Sequence, residues 1–292
     1  MYQFDTAEEM LALCDKYNIS VSQLMIKREI EGAESTETEV VNKMAHALEI
    51  MKAAAIGPIK EPLKSMSGLI GGEANKLDNL ANANKNICGE VVSCAIKYAM
   101  AVMEVNASMG LIVAAPTAGS AGIVPGTLLS IQKAYDLSDE KLTEALFNAG
   151  AIGYIAMKNA TVAGAVGGCQ AEVGVAAAMA ASAAVELLGG TPVQSTYAAS
   201  TVLQNMLGLV CDPVGGLVEY PCQNRNAAGV TNALTAAELA LAGIVQLIPL
   251  DEMIDIMYSV GKRLPIELRE TALGGCAKSP SACKACSISP KR

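Results

Sequence analysis

The sequence has very few aromatic residues and a single histidine. Its 292 residues include no Trp, two Phe and one His, although 52% of them are hydrophobic. Alanine, glycine, valine, leucine and methionine must therefore fill the interior, which favours closely packed helices. His46 lies within a helical pattern and is interpreted as a surface or packing residue. If the protein transfers protons, we expect a lysine, glutamate or tyrosine, a metal-bound species or a partner to supply the base.

The chain also lacks a basic cluster. Its net charge is −8, from 21 basic and 29 acidic residues, which argues against binding to nucleic acid or to an anionic membrane surface. The first nine residues are polar, so no secretory signal is expected and a cytoplasmic location is predicted. Glu104, Glu186 and Glu238 interrupt or edge the most apolar windows. A membrane subunit remains an alternative, which partition into the soluble fraction would dismiss.

No stretch alternates polar and apolar residues between hairpin turns. We therefore predict an all-α fold, a single compact bundle over residues 1–292 with Gly/Pro-rich loops. The charged residues 1–60 form an N-terminal helical layer in this interpretation, and residues 275–292 form an irregular tail. Capping patterns begin at Thr6, Ser20 and Thr36. Helices are predicted at 37–55, from about 74, and at 89–107, 223–246 and 250–262, with loops at 57–62 and 109–126.

Nine cysteines are present, an odd number in a long chain, which indicates reduced thiols with some of them acting as ligands. Cys14, Cys88 and Cys94 lie in helical patterns and are interpreted as core residues, since free cysteine is among the most buried residue types. Three others, Cys169, Cys211 and Cys222, stand beside Gly or Pro, where a helix is not expected. Their sulfur atoms could therefore point at one shared metal centre.

The spacing of those three cysteines restricts the kind of centre. Intervals of 42 and 11 residues do not form a CxxC pattern, which disfavours a zinc ribbon or a ferredoxin-type cluster. Three thiolates from separate loops can hold three irons of a four-iron cube and leave the fourth open. An open iron is a Lewis acid that helps a hydroxyl leave as water. The pattern indicates a dehydratase, with a non-catalytic iron–sulfur protein as the alternative.

Two loops rich in Gly and Ser combine hydroxyl groups with free backbone N–H groups near a helix N-terminus. They are KSMSG at 64–68 and APTAGSAG at 115–122. Such loops suit a carboxylate or a phosphate, but neither matches the P-loop or the GxGxxG pattern. The alternative is that the glycines only permit tight packing between helix and loop.

Several long segments resemble one family. LKSMSGLIGGEANK, AAPTAGSAGIVPG, GGCQAEVG, CDPVGGLVEYPCQNRN and LRETALGG are similar to the α chain of the iron–sulfur-dependent L-serine dehydratases. The resemblance implies an all-helical fold, conversion of L-serine to pyruvate and ammonia, and a [4Fe–4S] cluster without pyridoxal phosphate. It places the cluster ligands at Cys169, Cys211 and Cys222. Cysteine desulfidase is a sister activity on the same scaffold and remains an alternative.

The resemblance also implies roles for the tail and for a partner. In such proteins a cysteine near the carboxyl end can occupy the fourth iron, and Cys283 has the nearest offset here. Cys276 and Cys286 are alternatives, and an incidental set of tail cysteines is another. The family's β portion, with its Ser-rich, His-containing motif, is not found in this sequence. We therefore expect a β chain in a hetero-oligomer, with part of the site supplied in trans.

Substrate contacts are assigned on the same basis. Lys64 is the candidate proton carrier, and Ser65 and Ser67 complete the candidate catalytic set. Asn224 and Arg225 are expected to order the cluster loop or to pair with the substrate carboxylate. The loop residues expected to hold the carboxylate and amine of serine are Ser65, Met66, Ser67, Gly68, Thr117, Ala118, Gly119 and Ser120.

Overall fold

A computed structural model describes residues 1–288, and these residues are predominantly helical. Within that range the protein is 71% helical, with thirteen α-helices and no β-strand, which confirms the predicted all-α fold. The helices are α1 Ala7–Tyr17, α2 Val21–Ala33, α3 Glu37–Lys60, α4 Glu73–Asn82, α5 Gly89–Ala107, α6 Ile123–Tyr135, α7 Asp139–Asn159, α8 Gly164–Gly167, α9 Val175–Leu187, α10 Pro192–Asn205, α11 Cys222–Leu241, α12 Leu250–Arg263 and α13 Pro280–Ile288.

Side-chain caps start the early helices where the sequence predicts them. The Ser20 hydroxyl accepts the Gln23 N–H while the Gln23 side chain accepts the Ser20 N–H, a complete capping box. Thr36 forms the same reciprocal pair at the start of α3. Thr6 caps α1 through its hydroxyl alone. Each cap satisfies N–H groups that have no partner inside the helix, which fixes where the helix begins.

Three predicted boundaries were wrong. The α3 helix continues through Pro58 to Lys60, because Pro58 is buried against the core in the last turn and this packing outweighs one lost backbone hydrogen bond. The predicted loop at 109–126 ends earlier, since α6 begins at Ile123 and holds Pro125 in its first turn. The α11 helix ends at Leu241, and residues 242–249 form a loop.

The centre of the fold is α9, which α6, α7, α10 and α11 surround. Eleven consecutive residues of this helix, 175–185, are buried, and most of them are alanine. Small residues also set the contact between α5 and α6. A Cβ added to Gly122 would lie 2.4 Å from the Ala99 carbonyl oxygen. The backbones therefore approach as closely as the composition predicts.

The N-terminal helix α2 is fastened to the central helix α9 by the carboxylate of Glu186. Glu186, near the end of α9, accepts the N–H of Val21 at 3.1 Å and of Ser22 at 3.3 Å. It also accepts the Asn148 side-chain amide at 2.7 Å. These bonds satisfy the first N–H groups of α2. The assignment of all 292 residues to one domain stays a prediction.

The membrane alternative has a structural test. Within residues 1–288, every helix is too short or too polar to cross a bilayer.

Candidate metal centre

The three cysteines at Gly/Pro breaks lie on three separate segments of the fold. Cys169 precedes the π-helical turn 170–174 that leads into α9, and Cys222 is the first residue of α11. Cys211 forms an isolated parallel bridge with Arg269. All three are buried, with exposed fractions of 1%, 2% and 5%. The expectation that none would be helical was wrong for Cys169 and Cys222, because in both cases the break immediately precedes a helix start.

The sulfur atoms of Cys169 and Cys211 converge with a carboxylate. One ligand atom from each of Cys169, Cys211 and Glu172 lies within 4.8 Å of the others. Cys222 is outside this group but is linked to it, since the Asn226 amide donates to the carbonyl oxygens of both Cys222 and Gly119, and Gly119 lies against Glu172. Two sulfurs and one oxygen at such distances, with a third thiol beside them, form a potential metal-binding cluster.

Proton affinity differs among the three thiols. The hydrogen bond from Cys211, together with the nearby Arg225, lowers the pKa of Cys169 despite its burial. The same bond to Cys169, together with burial, raises the pKa of Cys211. Burial, with Cys169 and Glu172 nearby, raises the pKa of Cys222 to about 12. Of the three thiols, Cys169 is therefore the one that its surroundings make more acidic, whereas those of Cys211 and Cys222 favour the protonated form.

Arg225 holds the cysteine segments together. Its guanidinium donates to Cys169 Sγ at 3.4 Å and to the Val210 carbonyl oxygen at 2.9 Å. It also forms an ion pair of 2.6 Å with Asp212. Burial would lower the pKa of this guanidinium, but Cys169 and Asp212 outweigh it and raise the pKa. Arg225 thus joins the segment that carries Cys169 to the segment 210–212, and its two predicted roles, ordering a cluster loop or pairing with the substrate carboxylate, stay predictions. Asn224 is exposed, whereas Asn226 is buried.

Glu172 was not identified from the sequence as a member of the site. Burial raises the pKa of its carboxyl group, and Thr117 donates a hydrogen bond to it from the loop at 115–122. Glycines make room for this carboxylate. A Cβ on Gly119 would lie 2.6 Å from Glu172 Oε1, and a Cβ on Gly164 would lie 3.0 Å from Cys211 Sγ and 3.1 Å from Glu172 Oε2. The Thr117 loop therefore faces the group formed by Cys169, Cys211 and Glu172, and its assignment as a substrate loop stays a prediction.

Asn226 shapes the same loop. Its side-chain amide donates to the Gly119 carbonyl oxygen at 2.8 Å, and its carbonyl accepts the Gly122 N–H at 3.1 Å. Gly119 and Ser120 are buried, while Ala118 is exposed. Because Asn226 lies one turn after Cys222 on α11, the loop and the third cysteine share one support.

The loop at 64–68 binds a carboxylate of the protein itself. Ser65 Oγ donates to Glu219 Oε2 at 2.6 Å, the Ser67 hydroxyl donates to the same oxygen, and the Ser67 N–H donates to Glu219 Oε1 at 3.2 Å. Glu219 is 3% exposed. Lys64, Met66 and Gly68 are exposed. The sequence suggests that this loop suits a carboxylate, and in the structure the carboxylate is that of Glu219; the predicted contact with substrate stays a prediction.

The tail is more ordered than predicted. Residues 280–288 form α13 because Ser279 caps it through the Ala282 N–H at 3.2 Å and Pro280 suits a first helical position. The predicted irregular tail was therefore wrong for this part, and residues 289–292 lie outside the described range. The Cys283 thiol is exposed and lies 3.9 Å from the Ala277 carbonyl oxygen. Its assignment as a fourth ligand stays a prediction.

The donor set fits a sulfur-ligated metal centre. Three buried thiols come from separate segments, a hydrogen bond from Cys211 and the nearby Arg225 lower the pKa of Cys169, and soft thiolate ligands select iron–sulfur clusters, zinc or copper(I). His46 cannot add an imidazole from its place on the surface of α3, where its side chain is 73% exposed.

Known proteins are similar to this sequence over nearly its whole length. The family model described as "Serine dehydratase alpha chain" matches residues 16–277. The chain is 47% identical over 278 residues to "Probable L-serine dehydratase, alpha chain" of Bacillus subtilis, covering 95% of this chain and 92% of that protein. It is 43% identical over 280 residues to "L-serine dehydratase, alpha chain" of Peptoniphilus asaccharolyticus, covering 96% of each.

A longer relative is "L-serine dehydratase TdcG" of Escherichia coli. It is 35% identical over 288 residues, which cover 94% of this chain but 62% of that protein. Sequence similar to this chain therefore makes up nearly all of the two α-chain relatives and part of the longer one. With the family model and the two α-chain relatives matching nearly end to end, the chain belongs to the serine dehydratase α-chain family.

Proposed function

We propose that this chain is the α subunit of an L-serine dehydratase, a lyase that converts L-serine to pyruvate and ammonia. The observation that carries the proposal is the convergence of buried Cys169 and Cys211 with Glu172 and Arg225, with buried Cys222 at the start of α11, in a member of this family. The net reaction removes the α proton and the β-hydroxyl of serine as water. The resulting enamine becomes an imine, which water hydrolyses to pyruvate and ammonia.

A [4Fe–4S] cluster, without pyridoxal phosphate, is the cofactor in this proposal. Cys169, Cys211 and Cys222 would hold it, and when bound it supplies a Lewis acid for the departing hydroxyl. Ligating sulfur must be deprotonated, so Cys211 and Cys222, whose pKa values are raised, release protons when metal binds. Arg225 already favours the thiolate of Cys169. Cys283 stays the candidate for the fourth position.

The protein's own groups bind and orient serine. The Thr117 loop faces the cysteine group, and we assign the substrate carboxylate to the hydroxyl and N–H groups of Thr117, Ala118, Gly119 and Ser120. Glu172 lies within reach of the same space and suits the substrate ammonium. The loop at 64–68 and Asn224 complete the proposed substrate contacts, with exposed Lys64 as the proton carrier.

A partner completes the enzyme in this proposal. The relatives named as α chains and the longer relative that this chain covers only in part support a β chain bound in a hetero-oligomer. The α proton's base could then come from that chain. A cytoplasmic location is part of the proposal, because the reducing cytoplasm keeps the cysteine ligands as thiols.

Anaerobic reconstitution tests the ligand assignment. Iron and acid-labile sulfide are measured per chain for the wild type and for Cys169→Ala, Cys211→Ala and Cys222→Ala. Cys14→Ala is the matched control, a buried thiol on α1. We expect each of the three variants to lose a stable cluster and the control to keep it. Retention of the full cluster by all three variants would refute the assignment.

Turnover with the reconstituted β chain tests the substrate. We expect pyruvate from L-serine, and a change in the cluster's visible spectrum when serine is added. Turnover of L-cysteine but not of L-serine would make the protein a desulfidase instead. A spectrum that does not respond to saturating serine would favour a non-catalytic iron–sulfur protein.

A further inference from the structure

Both hydroxyl-bearing loops of this protein hold a carboxylate that belongs to the chain. Thr117 donates to Glu172, and Ser65 and Ser67 donate to Glu219. Each glutamate lies three residues from a cysteine of the candidate centre. Glu172 follows Cys169, and Glu219 precedes Cys222. The two loops are therefore connected to the cysteine segments by hydrogen bonds between side chains distant in sequence.

The hydrogen-bond partners of Glu219 come from this connection. Its carboxylate is 3% exposed, and no ion pair involves it among residues 1–288. A buried carboxylate without a cation is stable only if other donors satisfy its oxygens. Two hydroxyls and one backbone N–H from residues 65–67 do so. Charge-assisted bonds of this kind are about twice as strong as neutral ones.

The loop is in turn shaped to present those donors. Ser65 Oγ accepts the N–H of Gly68 at 3.1 Å and of Ile70 at 3.3 Å, so its hydrogen points to Glu219. The Met66 N–H bonds the Ala107 carbonyl oxygen at 3.0 Å, which fastens the loop to the end of α5. The loop is therefore a fixed support and not a free segment.

The position of Glu219 determines where α11 starts. Its carbonyl oxygen accepts the Gln223 N–H at 3.0 Å, the first backbone bond of that helix. Cys222 lies between these two residues and begins α11. Val214 donates its N–H to the Tyr220 carbonyl at 2.8 Å, which closes the segment between Cys211 and Cys222. A shift of Glu219 would therefore move the Cys222 sulfur.

We propose that Glu219 is a positioning residue for the metal centre, which fastens the Cys222 segment to the hydroxyl loop at 64–68. The inference rests on the proposed function, since it assigns Cys222 as a ligand. In this view Ser65 and Ser67 act on the cluster through Glu219, in addition to any contact with substrate.

The test uses the anaerobically reconstituted α and β chains. Four variants are compared with the wild type: Glu219→Ala, Glu219→Gln, Ser67→Ala and the double variant Glu219→Ala/Ser67→Ala. Glu238→Gln is the matched control, an exposed acid on α11. The measurements are iron per α chain, the rate of iron loss to a chelator, KM for L-serine, and the helical circular dichroism of each metal-free protein.

We expect Glu219→Ala to lose iron about tenfold faster than the wild type, because the buried hydroxyls and the Cys222 segment lose their shared partner. Ser67→Ala should lose iron faster as well. The double variant should be no worse than the poorer single variant, since both remove one interaction. Glu219→Gln keeps the shape of the side chain and one acceptor oxygen, so it should lose iron more slowly than Glu219→Ala but faster than the wild type. Glu238→Gln should lose iron at the wild-type rate.

Three results would overturn the inference. Wild-type rates of iron loss in Glu219→Ala, with unchanged circular dichroism, would show that the contact does not position Cys222. A lower KM for serine in Glu219→Gln, with normal iron retention, would make Glu219 a competitor of the substrate carboxylate. A wild-type protein that binds no iron would overturn the proposed function together with this inference, whereas the first two results leave that function intact.

Discussion

Replacing Arg225 with methionine should destabilise the protein strongly, because the change leaves a buried carboxylate without its cation. The side chain of Asp212 is 3% exposed and that of Arg225 is 15% exposed, and their charged atoms are 2.6 Å apart. After the change, Asp212 keeps donors from Cys276, whose N–H lies at 2.6 Å and whose thiol also bonds the carboxylate, but it has no cation. Breaking a buried ion pair from one side costs about 3–5 kcal/mol.

That free energy converts into a measurable melting shift. In a chain of this size each kcal/mol moves Tm by about 2–4 °C, so Arg225→Met should lower Tm by roughly 6–20 °C. Arg225→Lys keeps the charge but loses the planar fork that serves three acceptors, and should lie between the wild type and the methionine variant. Circular dichroism melts of the metal-free full chain, kept reduced, are the measurement.

The double variant decides whether the reasoning is right. Arg225→Met/Asp212→Asn removes both charges, so its Tm should lie above that of Arg225→Met although it carries one more substitution. A double variant that melts at or below the single variant would show that lost packing, and not an unpaired charge, causes the destabilisation.

Two other predictions concern packing and pH. Gly122→Ala should cost about 1–3 kcal/mol, since the added Cβ overlaps the Ala99 backbone, whereas Gly32→Ala, with open space around it, should not lower the urea midpoint. Equal midpoints for both variants would contradict the close helix contact. The hydrogen bond from Lys97 lowers the pKa of Asp78, so this pair stabilises the fold above pH about 4 and the benefit disappears as pH falls through the lowered value. The Tm deficit of Lys97→Met should therefore be present at pH 7 and shrink near pH 3; a deficit independent of pH would argue against the ion pair.

Local signals predicted much of the fold, and tertiary contacts explain the rest. Ser20 and Thr36 fix helix starts through bonds to residues three positions away, and such bonds can be read from adjacent letters. Pro58 was misassigned because its burial depends on distant helices. The tail helix was missed, although Ser279 followed by Pro280 is a recognisable start signal.

The same distinction applies to the candidate site. Cysteines beside Gly or Pro are distinctive, and Arg225 was singled out from its place after Cys222, although its partners Val210 and Asp212 were not predicted. Glu172, Asp212 and Glu219 were missed because acidic residues have no diagnostic spacing in loops. One signal could have found two of them. Asp212 and Glu219 stand singly among apolar residues and glycines at 209–221, where an unpaired charge would be unstable.

The alanine-rich helix at the centre of the fold also bears on how this sequence can evolve. Ordinary cores are damaged most by truncation of large side chains. Seven of the thirteen residues of α9 are alanine, and they have almost nothing to truncate. Replacing these alanines with larger residues should destabilise the fold more, since four neighbouring helices surround α9 and leave no space for added atoms. Random mutation, which mostly adds atoms to alanine, should therefore be selected against more strictly along this helix than along the exposed face of α12, which carries Glu252, Asp255 and Ser259.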